Sequence, residues 1–177
     1  MEETNQKENI INKLNDKYKS ILEEYSIESA ILSSFNIINY EYIRDLSCIC
    51  YDKNNEEQKK DVYENNGDLF INIYLQNNAN DTITIKHWYS LDYGEESTYV
   101  FYNKEIIMDC RYGSYSGYSD GIRLYKDILE KLGIPLYIDN LTLKNSHSII
   151  YKIQEELLEY FDDNNDDIEA VYKDYEP

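Results

Sequence analysis

Between residues 69 and 110 the chain alternates apolar and polar side chains with a period of two, and no other stretch limits its fold so tightly. Leu69, Ile71, Ile73 and Leu75 are interleaved with Phe70, Asn72, Tyr74 and Gln76. Successive side chains of an extended chain point to opposite faces, so this pattern gives a strand with one apolar face. After a turn at 77–81, Ile83, Ile85 and His87 alternate with Thr84, Lys86 and Trp88, which predicts a hairpin. Residues 92–96 supply the next turn and 97–103 a third strand. A tight turn at Asn103-Lys104 leads to a fourth strand over 105–110. Sequential strands tend to lie side by side, so a four-stranded antiparallel meander is the simplest arrangement.

Outside this block the apolar period lengthens. Ile10, Ile11, Leu14, Tyr18, Ile21 and Leu22 recur at spacings of three and four, which is one stripe of a helix. A break follows at Tyr25-Ser26, and Ser26 is spaced as the N-cap of a short apolar helix over 27–35. For 40–51 a helical stripe of Ile43, Leu46, Ile49 and Cys50 is favoured, while 48–51 also fits a strand. Residues 52–67 are polar and rich in turn formers. Beyond the sheet, Ser119 or Asp120 is placed to cap a helix over 120–132, closed by Gly133 and Pro135. A last helix over 147–161 carries Ile149, Ile150, Ile153, Leu157, Leu158 and Phe161 on one face. The expected fold class is therefore α+β: a four-stranded antiparallel sheet with helices packed on one side. One domain is expected over 1–161, followed by a flexible acidic tail over 162–177 that holds seven acidic residues and one lysine.

Charge narrows the range of partners. The chain carries 35 acidic against 17 basic side chains, a formal net charge of -18. Its longest basic cluster is Lys59-Lys60. Nucleic acid and anionic membrane need a local basic patch and are not expected to bind; a basic protein partner is. No apolar run has the length of a membrane span, and the polar, acidic first thirteen residues do not resemble a secretory signal. Cys48, Cys50 and Cys110 are odd in number, and the first two are too close for a framework disulfide. A reducing, cytoplasmic setting is the expectation.

No dinucleotide fingerprint, phosphate loop, HExxH or nucleophile-elbow motif is present. His87 falls in phase with Ile83 and Ile85 and reads as an inward strand residue; His147 falls in the first turn of the last helix. Cys48-x-Cys50 lacks the spacing of a zinc knuckle, so neither a metal nor a cofactor is expected. Cys110 beside Arg111 could be an activated thiol, but it closes an alternating apolar run, and the reading as a small buried hydrophobe outweighs that one. Gly113 and Gly117 read as a flexible strand-to-helix connection.

Among the 20 tyrosines, Tyr112, Tyr115 and Tyr118 form the best aromatic recognition loop, and Glu95 and Glu96 occupy a turn from which they could reach a partner. These five residues are the candidate contact surface. The function expected from charge and aromatics is that of an acidic inhibitor or adaptor, in the class of bacterial immunity proteins that neutralise basic nuclease toxins. The alternatives are a scaffold that self-associates through Tyr and Ile surfaces and, third, an enzyme with a nonstandard site around His87, Cys110 or Arg111.

Overall fold

The computed structural model describes residues 2–45, 67–90, 94–112, 121–134 and 148–173. Helix α1 (Glu2–Glu24) buries Ile10, Leu14, Tyr18 and Ile21 along one stripe. It ends where Ser26 takes a left-handed φ of 51°. Helix α2 (Ala30–Ser33) is a single turn, shorter than the helix expected over 27–35, and its cap is Ser29 rather than Ser26. The Ser29 hydroxyl accepts the Leu32 N–H at 3.2 Å.

Strand β1 (Asn36–Asp45) replaces the helix favoured from residue 40; residues 46–51 lie outside the described residues. The reason lies in its neighbours. Tyr40 and Tyr42 turn one way and meet the ring of Phe161, each at 5.6 Å between centroids, while Glu41 turns the other way toward Asn72 and Tyr74. Extended Tyr and Ile residues pack well on a half-buried pleated surface once a partner strand is available.

The four expected strands are present as β2 (Asp68–Gln76), β3 (Thr82–Ser90), β4 (Glu96–Tyr102) and β5 (Glu105–Tyr112). Asn77 builds the first turn, its side-chain oxygen accepting the N–H groups of Ala79 and Asp81. Asn103, with φ 53°, makes the tight turn between β4 and β5. The sheet is nevertheless wider than four strands. β6 (Gly121–Leu124) adds to β5, β1 adds to β2, and the order is β6-β5-β4-β3-β2-β1-β7. Among the first six each strand is antiparallel to its neighbours, and the three-residue β7 (Val171–Lys173) runs parallel to β1.

The helix expected over 120–132 is therefore divided. Ile122 and Leu124 pair with Cys110 and Met108 as strand residues, and only α3 (Lys126–Lys131) is helical. Gly133, at φ 65°, closes α3 by letting the Ile134 N–H reach back to the Leu129 carbonyl at 3.0 Å. Helix α4 (Ile149–Asp163) starts at Ser148, whose hydroxyl accepts the Tyr151 N–H at 3.1 Å. Part of the acidic segment after Phe161 is built into the fold. α4 continues to Asp163, Ile168 is buried, the Gln6 amide donates to the Asp167 carbonyl at 2.7 Å, and β7 joins the sheet.

The inner face of the sheet is organised in cross-strand rows. One row runs Tyr40, Ile73, Ile85, Val100, Met108, Leu124, each opposite the next. Its members from Ile73 to Met108 are at most 2% exposed. These residues share one buried cluster with α1, α4, Leu129 of α3 and Ile168. Among the described residues no helix is long and apolar enough to cross a membrane.

Where β1 bulges between Ile37 and Asn39, the Asn15 side chain of α1 substitutes for a strand. Its amide donates to the Ile37 carbonyl at 2.9 Å, and its oxygen accepts the Ile37 N–H at 2.7 Å. Asn15→Ala leaves both backbone groups without that partner. The expected loss is about 1–3 kcal/mol in urea unfolding, accompanied by faster amide exchange at Ile37; an unchanged midpoint would show that water replaces the amide at no cost.

Candidate functional site

The sheet register that builds the apolar row also builds a polar one beside it. Two residues along each strand, the inner face reads Tyr42, Ile71, His87, Thr98, Cys110, Ile122. Side chains two apart share a face, so the change from isoleucine to His, Thr and Cys occurs in the middle of the sheet. The following row places Tyr89 opposite Glu96 and Glu96 opposite Tyr112. Over these rows lies α4, which has two stripes. Ile150, Ile153, Leu157 and Phe161 enter the core, and the neighbouring stripe of Tyr151, Gln154, Glu155, Leu158, Glu159 and Asp162 faces the polar row. Between helix and sheet is a cavity of about 290 Å³, lined by this second stripe together with His87, Glu96, Thr98 and Cys110.

Thr98 is the hub of the floor. Its hydroxyl is 2.8 Å from His87 Nδ1 and is also hydrogen-bonded to the Cys110 thiol. Burial lowers the His87 pKa to about 4, so the imidazole is neutral at physiological pH. Burial likewise pushes the Cys110 thiol up, away from thiolate, with the hydrogen bond to Thr98 opposing the shift. Arg111 does not assist it: successive strand residues face opposite ways, and the exposed Arg111 guanidinium donates to the Tyr99 hydroxyl at 2.8 Å. A buried neutral thiol and a weakly basic imidazole separated by threonine form no activated nucleophile–base pair.

The walls are acidic. Burial raises Glu96, and the charge of Asp162 raises it further. Asp162, at the rim, is raised by its partial burial and then by Asp163 and Glu159. Lys152 pairs with Glu155 at 3.2 Å, but among the described residues no cation pairs with Glu96, Glu159 or Asp162. Like charges are thus held together in a partly desolvated space, an arrangement that a positive ligand group relieves. Among the described residues no three His, Cys, Asp or Glu side chains converge as metal ligands.

Of the residues expected to touch a partner, Glu96 forms part of the cavity wall. Glu95 directly precedes β4, and its carbonyl accepts the Ser90 N–H at 2.8 Å. Tyr112 ends β5 directly opposite Glu96, the first residue of β4. Tyr115 and Tyr118 lie outside the described residues, as do Gly113, Gly117, His147, Cys48 and Cys50. The sequence reading missed Gln154 and Glu159, and it placed Asp162 in a flexible acidic tail rather than on the helix that walls the cavity. The period of α4 held a signal for them, a second stripe adjoining the apolar one, but nothing local said what it would face.

The chain matches no protein-family model, no curated protein and no solved structure.

The depressed pKa of His87 has a consequence for stability. Above pH 6.5 neither the folded nor the unfolded chain carries the His87 proton. As pH falls, the unfolded chain takes it up near 6.5 and the folded chain only near 4. Stability should therefore fall across that window by about 3 kcal/mol and then level off. Glu96 and Asp162, both raised, act in the opposite sense as they protonate. The contribution of His87 is read as the difference in slope between wild type and His87→Gln in urea titrations at each pH. Equal slopes, or an imidazole NMR midpoint near 6.5, would overturn the assignment.

Proposed function

We propose that this chain is an acidic binding protein that recognises a basic polypeptide and inhibits it by covering its cationic substrate groove, as immunity proteins do for basic nuclease toxins. The observation that carries the reading is the cluster of Glu96, Glu159 and Asp162 around one cavity, with no cation against them among the described residues. Net charge by itself would serve solubility; like charges gathered at a concave site favour a positive partner there. Residues 145–177 carry ten acidic and two basic side chains, so the surface around α4 is the most negative part of the chain. A field of that sign speeds encounter with a cationic surface.

Two kinds of contact divide the work in this reading. Glu95, Glu96, Glu159 and Asp162 steer the encounter. Tyr112, Tyr115 and Tyr118 supply the aromatic anchors.

The test begins with capture of basic proteins from the native cell and continues with stopped-flow association across salt concentrations. Replacing Glu96, Glu159 and Asp162 by Gln, Gln and Asn should slow association at low salt by about tenfold and flatten its salt dependence. Tyr112→Ala should leave association nearly unchanged and speed dissociation, a loss of about 2 kcal/mol. Association indifferent to salt and to the charge changes would reject the reading. Self-association insensitive to salt would favour a scaffold instead.

A further inference from the structure

We infer that the cavity between α4 and the His87–Thr98–Cys110 row is a socket for a single guanidinium group, the head of an arginine side chain offered by the bound polypeptide. The inference rests on the basic-partner reading and names the group that the site selects.

An acidic rim alone would attract any cation. The floor is more discriminating. Gln154 is 4% exposed and lines the cavity, yet its amide has no hydrogen-bond partner among the described residues. A polar side chain buried to that degree is normally hydrogen-bonded, so an unpartnered one facing an open cavity points to a ligand that supplies the bond. His87, half-buried, lines the same cavity. One ring nitrogen is engaged by Thr98, while Nε2 has no partner among the described residues. The site therefore combines uncompensated carboxylates at the mouth with neutral hydrogen-bonding groups inside.

The shape of that donor and acceptor set separates the possible cations. A metal ion needs three or more converging ligands, and among the described residues none converge. An ammonium is a compact, strongly hydrated point charge and gains little from neutral acceptors on an apolar wall. A guanidinium is planar and weakly hydrated, with five N–H donors in a fixed fork. It can meet carboxylate oxygens with one edge and the Gln154 amide oxygen with another. Its faces then lie against the apolar surface of Leu158 and Tyr151, which line the same space. The buried thiol and hydroxyl behind it bond to each other, so they need nothing from the ligand.

The experiment uses the whole chain and two small probes, Nα-acetyl-arginine amide and its lysine counterpart, followed by NMR. The arginine probe should shift the Gln154 side-chain amide and the His87 ring, and bind at least about tenfold more tightly than the lysine probe. Gln154→Met should weaken the arginine probe by about tenfold or more. Glu159→Gln, a change at an exposed position, should weaken it severalfold and keeps the test valid if the Gln154 variant fails to fold. Equal binding of the two probes, or shifts confined to the acidic surface away from Gln154 and His87, would overturn the socket. A captured basic partner that binds with full salt dependence but ignores Gln154→Met would remove the socket and leave the basic-partner reading standing. Specific arginine binding with no basic polypeptide captured would do the reverse.

Discussion

The row Tyr40, Ile73, Ile85, Val100, Met108, Leu124 holds the rest of this protein in register. Side chains in a strand alternate faces, so a slip of one residue in any of these strands would turn its apolar set to the other side of the sheet. Burial of Ile73, Ile85, Val100 and Met108 at 2% exposure or less makes that slip costly. Everything on the inner face follows by counting. Two residues along lie His87, Thr98 and Cys110, and two further lie Tyr89 and Glu96. The polar floor of the cavity is thus positioned by hydrophobic packing one row away from it.

Helix α4 converts that floor into a site. Its apolar stripe is anchored by Phe161 against Tyr40 and Tyr42, and its N-terminus by the Ser148 cap. The stripe beside it is then obliged to lie over His87 and Thr98. A further tie comes from Tyr25, whose hydroxyl donates to Glu156 at 3.0 Å and holds the end of α1 against α4. The result is a concave surface whose acidic groups are set by the helix and whose neutral groups are set by the sheet.

Such an arrangement works against stability. Glu96 and Asp162 are both raised by burial and by neighbouring acids, and His87 is kept neutral although its ordinary pKa lies close to physiological pH. Isolated folding would be better served by an isoleucine at 87 and a lysine on α4. Groups held in unfavourable electrostatic surroundings gather where a ligand is to be met, because the ligand removes the penalty on binding.

The sequence by itself determined the elements whose signal is local: the stripe of α1, the four alternating strands β2 to β5, and the apolar face of α4. Each repeats at its own period over a long enough run for neighbours to decide the conformation. Tertiary structure decided the remainder. Ile122 and Leu124 serve equally as the start of a helical stripe or as a short strand, and only pairing with Met108 and Cys110 selects the strand. In β1 the pairing of Tyr42 with Ile71 overrides a weak helical spacing. Val171 to Lys173 becomes β7 only because β1, far away in the chain, offers an open edge. The candidate site belongs to this second class. Glu96 is named by its turn, but Gln154 and Asp162 acquire meaning only when helix packing brings them over His87, and no local pattern encodes which polar row a helix will cover.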